Sequence, residues 1–229
     1  MATETTPTDQ RRTPLSRDRV LTAAVELADR DGFEALSMRK LGQELGVEAM
    51  AIYRHVRDKN ELLDELAELI VGQMEKAYPS QDWKTALRAQ VMRAREVMLR
   101  HPWSRQVLEA RGVTGPNRLA YIESALAILR AGGFSVDLAH HALHVLDSKI
   151  FGFNHDFFST AASIAAAEDT STEPDPITAG LMAERLPRIT EMAQSVSHDG
   201  TLGACDDDVE FAFGLDLTLD GLERLRAAG

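Results

Sequence analysis

Residues 36–63, LSMRKLGQELGVEAMAIYRHVRDKNELL, decide the fold of the N-terminal part of this chain. Ser37 can cap a first helix by accepting a hydrogen bond from an N–H group that the helix itself leaves unpaired. Gly46 supplies the backbone freedom that a tight corner between two helices needs. Two short helices, each of about two turns, that meet at such a corner predict a helix-turn-helix motif, whose second helix fits the major groove of DNA.

The apolar spacing of the same segment predicts which sides of the two helices face the core. Leu41 and Leu45 keep one apolar face on the first helix, and Val47 and Ile52 direct the second helix towards that same core. The other side chains of the second helix are thereby left around its remaining faces, where they can meet DNA. They are Ala49, Met50, Ala51, Tyr53, Arg54 and His55.

Helical patterns continue on both sides of this motif. A first helix is expected from near Ser16 to near Gly32. Asp58 and Glu61, three residues apart, form a capping box that starts a fourth helix, expected to run to about Tyr78. Further helices are predicted at 82–100, 103–111, 116–131, 135–157, 177–196 and 206–227, with Ser135 as a cap after two glycines. No segment shows the alternation of a strand, so the predicted fold class is all-α.

Composition and charge limit the function classes. The net charge is −11, but residues 11–59 carry 10 Lys/Arg against 8 Asp/Glu, while residues 60–229 carry 15 against 26. This distribution predicts an acidic body and a slightly basic head that meets DNA. The polar start shows no secretory signal, no stretch is apolar enough for a membrane span, and the single Cys205 favours a reducing compartment. We therefore expect a cytoplasmic protein.

Three motifs resemble the tetracycline-repressor (TetR) family. They are LSMRKLGQELGVEAMAIYRHVRDKNELLDELA in the head, RAGGFSVDLAHHALHVLDSKIFGF in the body and FAFGLDLTLDGLERL near the C-terminus. The last two are similar to the tetracycline-repressor type of C-terminal domain. The resemblance implies a homodimeric repressor that binds a palindromic operator and is released by a small-molecule effector. It also implies a three-helix helix-turn-helix head joined by a long helix to a larger helical ligand-binding and dimerisation body.

The expected domain organisation follows from this resemblance. Residues 1–14 are expected to form a disordered arm. Arg11 and Arg12 could contact the minor groove of DNA, but a mobile tail without such contacts is the favoured interpretation. Residues 15–77 form the DNA-binding domain, and residues 78–229 form the effector-binding and dimerisation domain. A mobile loop is expected at about 159–176, where the sequence is poor in apolar side chains and rich in Ser, Thr, Pro and acidic residues.

The family's DNA contacts can be carried over by position. They fall on Ser37, Met38, Arg39, Ala49, Met50, Ala51, Tyr53, Arg54, His55 and Lys59. Arg54 can read guanine O6 and N7 in a bidentate manner, and the apolar side chains at 49–51 can touch thymine methyl groups. Tyr53, His55 and Lys59 suit phosphate contacts that set the register, although Tyr53 could instead simply pack against the core beside Ile52.

The positions that grip the ligand in the family's type member fall on Glu75, Gln90, Ala94, Glu109, Ala125 and Asp156. Most carry an acid or an alanine in place of imidazole, phenyl or amide groups, so a pocket is implied but tetracycline is not. Our candidates for the wall of an effector site are Gln90, Ala94, His140, Leu143, Asp147 and Asp156. The acidic members favour a cationic or metal-bridged ligand of unknown identity.

No cofactor or structural metal is predicted. His140, His144 and Asp147 share a helix face at a spacing that can hold a metal, but such residues more often line a polar pocket or a dimer seam. The alternatives left open are a DNA-binding activator, a regulator without a small-molecule effector and, least favoured, a small helical enzyme, for which no nucleophile or cofactor motif is present.

A seam between two copies is expected on helices 135–157 and 206–227. Apolar residues recur there at helical spacing, and glycines would let a partner helix come close. The expected interface residues are Phe211, Gly214, Leu215, Gly221, Leu222 and Leu225.

Overall fold

The computed structural model describes residues 14–79, 82–111, 115–152, 184–188, 190–191 and 207–228. Throughout these residues the regular structure is helical and no strand occurs, so the all-α prediction is confirmed. The helices are α1 (Arg17–Asp31), α2 (Met38–Leu45), α3 (Ala49–Ile52), α4 (Lys59–Gln73), α5 (Trp83–Arg100), α6 (Ser104–Ala110), α7 (Pro116–Ala131), α8 (Val136–Gly152) and α9 (Asp207–Ala228), with a 3-10 turn at Phe33–Ala35. No helix in the described parts of the chain is long and apolar enough to cross a membrane.

Polar caps start the helices where the sequence predicts them. Ser16, Ser37 and Asp58 each accept a hydrogen bond from the backbone N–H three residues later, at the start of α1, α2 and α4. Ser135 does the same for α8, accepting from the N–H of Leu138 at 3.1 Å. Each cap satisfies an N–H group that the helix leaves unpaired. The start of each of these helices is therefore determined by residues close to it in the sequence.

The end of α4 differs from the prediction. The helix stops at Gln73 rather than near Tyr78, because Met74 adopts an extended conformation with φ −72° and ψ 107°. The turn buries the side chains of Met74 and Ala77 while Tyr78 stays exposed. Pro79 also disfavours helical geometry at the residue before it.

Several predicted features lie outside the described residues. They are the arm up to residue 13, the loop at 159–176, the continuation of α8 over 153–157, and Asp156 and Cys205. The predicted helix at 177–196 is described only at 184–188 and 190–191.

The chain forms two compact units. The first comprises residues 1–77 and 93–125, so α6 and the first part of α7 belong with the head, and the second comprises residues 78–92 and 126–229. The head has a continuous apolar core in which α1, α2, α3 and α4 each contribute fully buried side chains. Among these are Leu27, Leu41, Ile52, Leu62 and Leu66.

The second unit is organised by contacts between α9 and the first half of α5. The Trp83 indole meets Phe134 edge to face at 4.6 Å and donates a hydrogen bond to Glu223 at 3.0 Å. Arg88 forms a two-pronged pair with Asp216, at 2.6 and 3.2 Å. These contacts hold α9 along its length against the unit to which it belongs.

Glu61 makes only half of the predicted capping box. Its N–H donates to Asp58 at 2.9 Å, but its carboxylate accepts from the backbone N–H of Arg57 at 2.5 Å instead of that of Asp58. The guanidinium groups of Arg57 and Arg17 lie 3.1 and 3.2 Å from the same carboxylate. The hydrogen bond from the Arg57 backbone, followed by these guanidinium groups, holds the pKa of Glu61 below its ordinary value of 4.5.

We predict that Glu61→Gln lowers the free energy of unfolding near neutral pH. A depressed carboxyl pKa stabilises the folded state fully above the ordinary value of 4.5, and this contribution is lost as the pH falls through the lower folded value. Urea unfolding of parent and variant at about pH 7 and about pH 3 should therefore show a difference that shrinks in acid. Glu26→Gln, at an exposed position of α1, controls for the loss of one charge. An equal difference at both pH values would contradict this role.

Candidate nucleic-acid interface

The corner between α2 and α3 depends on glycine. Gly46 has φ +66° and ψ 33°, in the left-handed region that other residues rarely adopt. The N–H of Gly46 donates to Gln43 at 3.2 Å, and that of Val47 donates to Gly42 at 2.9 Å. These bonds close the end of α2 and turn the chain directly into α3.

The second helix of the motif is shorter than predicted. It comprises one α-helical turn, Ala49–Ile52, and continues as hydrogen-bonded turns in which His55 and Val56 both donate to the carbonyl of Ile52. No side chain caps its start at Glu48. Its position is set instead by the burial of Ile52 and Val56 in the core of the head.

The exposed surface of α3 combines an apolar tip with a cation. The Met50 side chain is 73% exposed, and Tyr53 and Arg54 are exposed beside it. Ala49, Ala51 and His55 are half-buried. This surface can offer apolar contact to base edges at one end and hydrogen-bond donors at the other.

The flanking helices α2 and α4 add polar groups to this surface, but one side chain expected there, that of Met38, is buried. Ser37 and Arg39 at the start of α2 and Lys59 at the start of α4 are exposed, and the Lys59 ammonium lies 5.8 Å from the Phe33 ring centre. Met38 is only 8% exposed because its side chain packs into the head core. It can therefore offer DNA only its backbone N–H, which lies in the first turn of α2.

Arg57 was not among the residues singled out from the sequence. Its side chain is highly exposed in the segment between α3 and α4, and its Nε donates to Glu61. Its position between α3 and the Asp58 cap is a signal that could have identified it. The hydrogen bond to Glu61 restrains the direction of this exposed cation.

The expected effector residues differ in burial. Gln90 and Ala94 on α5 are 1% and 0% exposed, and Leu143 on α8 is half-buried. His140 and Asp147, by contrast, lie on the exposed face of α8, where the described residues do not enclose them. The sequence spacing of α8 correctly indicates a polar face, but this face does not point into the protein. The side of α8 that is buried is the apolar one, with Ala139, Ala142 and Leu146.

The histidines of α8 are close neighbours at this exposed face. The rings of His140 and His144 meet edge to face with centres 4.6 Å apart. Within the described residues no group of three or more His, Cys, Asp or Glu side chains is arranged to hold a metal ion.

The structure corrects the expected seam on α9. Phe211, Leu215 and Leu222 are buried inside their own chain, so they cannot face a second copy. The Lys149 ammonium of α8 lies where a Cβ of residue 214 would be, so Gly214 faces its own chain. Leu225 is exposed, and a Cβ at Gly221 would meet only open space out to 4.0 Å.

The exposed side of α9 carries a second apolar row, of which the sequence analysis named only Gly221 and Leu225. Val209, Phe213, Leu217 and Leu225 are all well exposed, and with Gly221 they follow each other at intervals of four residues. Such a row forms a ridge along a helix. Helical spacing could have revealed it, because α9 is apolar on two sides.

Comparison with known proteins gives a consistent assignment. Residues 20–66 match the family described as "Bacterial regulatory proteins, tetR family", and residues 77–226 match "Tetracyclin repressor-like, C-terminal domain". The chain is 30% identical over 220 residues to the HTH-type transcriptional repressor DrrR1 of Streptomyces coeruleorubidus, covering 93% of this chain and 79% of that protein. It is 28% identical over 214 residues to the class D tetracycline repressor of Escherichia coli, covering 91% and 89%.

A solved structure agrees with this assignment. The TetR family protein ActR of Streptomyces coelicolor, in complex with (S)-DNPA, superposes with a TM-score of 0.67 at 26% identity, covering 95% of this chain and 100% of that one. The matches together span both the head and the C-terminal part of the chain. The chain therefore belongs to the tetR family and is a DNA-binding repressor of transcription, not an enzyme.

Proposed function

We propose that this protein binds a palindromic operator as a homodimer and leaves it when a small-molecule effector binds. The observation that carries the proposal is the exposed surface of Met50, Tyr53 and Arg54, presented by α3 directly after the Gly46 corner. Two such helices, one per copy, would enter successive major grooves about 34–36 Å apart. A repressor of this kind acts in the cytoplasm, where bacterial DNA is found.

In this proposal residues 15–77 form the DNA-binding domain and residues 78–229 serve effector binding and dimerisation. Base reading falls to the exposed Arg39 and Arg54 and to three apolar side chains that suit thymine methyl groups, Ala49, Met50 and Ala51. The remaining candidates hold the phosphate backbone and set the register. They are Ser37, the backbone of Met38, Tyr53, His55 and Lys59, with Arg57 added from the structure.

The effector proposal rests on the buried side of α5. Gln90 there is a polar side chain almost completely removed from solvent. A buried amide on such a helix is the kind of group that orients a ligand. Relatives of this chain support a ligand-operated repressor, since ActR was solved with (S)-DNPA bound. Leu143, which is half-buried on α8, and Asp156 remain candidates that complete such a site, whereas the exposed His140 and Asp147 are left out of it.

The DNA-reading prediction begins with operator selection from random double-stranded DNA by the full-length protein. Arg54→Ala should then cost about 1–3 kcal/mol at the selected operator and relax one base position, whereas Lys59→Ala should weaken all sequences alike. Arg188→Ala, at an exposed position of the C-terminal half, should leave binding unchanged and is the control.

The Met50 contact is tested on the DNA itself. Replacing operator thymines by uracil one at a time removes only the 5-methyl group, so affinity should fall at the positions that the apolar side chains of α3 touch. In Met50→Ala the loss should disappear at the thymine that Met50 contacts. Anisotropy titrations that show equal losses in parent and variant would contradict the contact, and failure to select any palindrome would contradict the operator proposal.

The dimer prediction concerns the exposed ridge of α9. Leu217→Arg places a charge in its centre and should give monomers in sedimentation velocity, because an unpaired charge cannot be buried at an apolar seam. Leu119→Arg is a matched control, since Leu119 on α7 is exposed to a similar degree, 53% against 59%. A dimer that survives Leu217→Arg, or dissociates equally in Leu119→Arg, would show that the seam lies elsewhere.

The effector prediction is tested with a panel of cationic, aromatic and metal-chelating compounds. We expect at least one compound to raise the Tm of the protein and release it from the selected operator, because a ligand that prefers the released state shifts the equilibrium towards it. Gln90→Ala should reduce both effects, whereas Glu34→Ala, at an exposed position of the head, should leave them intact. If Gln90→Ala responds as the parent does, the effector site is not at α5.

A further inference from the structure

A polar row runs along one face of α4 and meets a single short segment of the chain. Asn60, Asp64, Glu68 and Gly72 follow each other at intervals of four residues, so they share one face of the helix. Each of them lies against Arg111, at the end of α6, or Asn117, in the first turn of α7. The polar row is therefore occupied by contacts within the first compact unit.

Arg111 makes the strongest of these contacts. Its Nε and Nη2 donate to the two carboxylate oxygens of Asp64 at 2.6 and 3.0 Å, and its Nη1 donates to the amide oxygen of Asn60 at 3.2 Å. Two parallel bonds from one guanidinium fix the direction of both side chains as well as their distance. The pair is half-buried, which limits competition from water.

Asn117 contacts α4 one helical turn after the residues that Arg111 contacts. Its backbone N–H donates to the Glu68 carboxylate at 2.8 Å, and its side-chain amide donates to the Glu68 carbonyl at 3.0 Å. Gly72 lies so close that a Cβ there would be 2.9 Å from the Asn117 amide nitrogen. The two residues thus hold α4 at successive turns, which restricts sliding and rotation of the helix.

The beginning of α6 is anchored to the other ends of the head helices. His101 lies 2.8 Å from Asp29 of α1 through Nδ1 and 3.2 Å from Gln73, the last residue of α4, through Nε2. The Trp103 indole donates to the same Asp29 carboxylate. The segment 101–111 is consequently tied to α4 near both of its ends.

These contacts matter for DNA because α4 begins at the DNA-facing surface. Lys59 is its first residue, and Asp64 follows five residues later, about 7.5 Å along the helix axis. The chain enters α4 directly from the turns that end the recognition helix. A change in the position of α4 would therefore move Lys59 and the segment carrying Arg54 and His55 together.

We propose that Arg111 is a positioning residue for operator binding, which holds α4 through Asp64 and Asn60 so that the recognition surface keeps its operator-binding placement. Arg111 acts through α4 and does not touch DNA. The inference rests on the proposed function and adds to it a residue outside the helix-turn-helix motif. It requires no effector, so it can be tested on the ligand-free protein.

The chain offers a matched control for the effect of losing an ion pair. Arg88 and Asp216 form a two-pronged pair of similar geometry, at 2.6 and 3.2 Å, in the second compact unit. Arg111→Met and Arg88→Met each remove one guanidinium and keep much of the side-chain volume. Asp64→Asn is a milder second variant that removes the charge but keeps the shape.

The experiment measures Kd for the selected operator and for unrelated DNA by anisotropy, well below the Tm of each full-length variant. We expect Arg111→Met to weaken operator binding by about 3- to 30-fold, Asp64→Asn to weaken it in the same direction, and Arg88→Met to leave it within about twofold. Binding to unrelated DNA should change little in Arg111→Met, because no phosphate contact is lost. The exchanged pair Asp64→Arg with Arg111→Asp should recover part of the affinity.

Each other outcome overturns the proposal. If Arg111→Met and Asp64→Asn lower the Tm but keep the parent's operator Kd, the pair is merely structural. If Arg111→Met loses as much affinity for unrelated DNA as for the operator, Arg111 contacts phosphate directly. If Arg88→Met loses as much as Arg111→Met, the effect is not specific to α4. A parent protein that selects no operator would instead refute the proposed function, and the positioning role with it.

Discussion

The surface that we propose for DNA binding depends on the burial of Ile52. A helix of four residues has no stability of its own, because the first turn of any helix costs more in backbone entropy than its hydrogen bonds return. Helix α3 exists because Ile52 and the following Val56 are inserted into a core already built by α1, α2 and α4. With those two side chains inside, Met50, Tyr53 and Arg54 have to be outside. The same constraint therefore orders the core and exposes the side chains proposed to read DNA.

Polar contacts then restrict how this small core can shift. Within the head, Arg30 pairs with Glu44 at 2.9 Å and Lys40 with Asp31 at 2.7 Å, which joins the end of α1 to α2. These pairs are exposed, so their value lies in geometry more than in stability. Glu61 differs because it accepts the backbone N–H of Arg57 and fixes the segment between α3 and α4. Polar side chains thus restrain both α2 and the segment between α3 and α4, on either side of the proposed DNA-binding surface.

Helix α9 shows how one helix can serve two apolar environments. Its inner side, with Phe211, Leu215, Leu219 and Leu222, is buried in its own chain, and its outer side carries the exposed ridge that begins at Val209 and Phe213. An exposed apolar row of this length is unusual on a monomeric protein, and it suits contact with a second copy of the chain. The two glycines divide in the same way, since Gly214 faces Lys149 of the same chain and Gly221 faces open space.

Local sequence was sufficient for much of this molecule. The caps Ser16, Ser37, Asp58 and Ser135, the corner at Gly46 and the all-α class follow from hydrogen-bond chemistry and backbone freedom within a few residues. The motif in residues 36–63 also sufficed to predict a DNA-binding protein and its family. Such features are visible in one sequence because both partners of each contact lie within one turn of each other.

Only the tertiary structure decided which of several similar faces is covered. Periodicity shows that α9 has apolar sides, but the neighbour that covers each side is chosen by packing, so Phe211 and Leu215 proved to be inside and Phe213 outside. Met38 was placed in the core for the same reason. The grip of Arg111 on Asp64 joins residues 47 positions apart, and no local pattern indicates which of many acids an arginine will meet. Long-range partners are set by the path of the folded chain, and local sequence patterns do not determine that path.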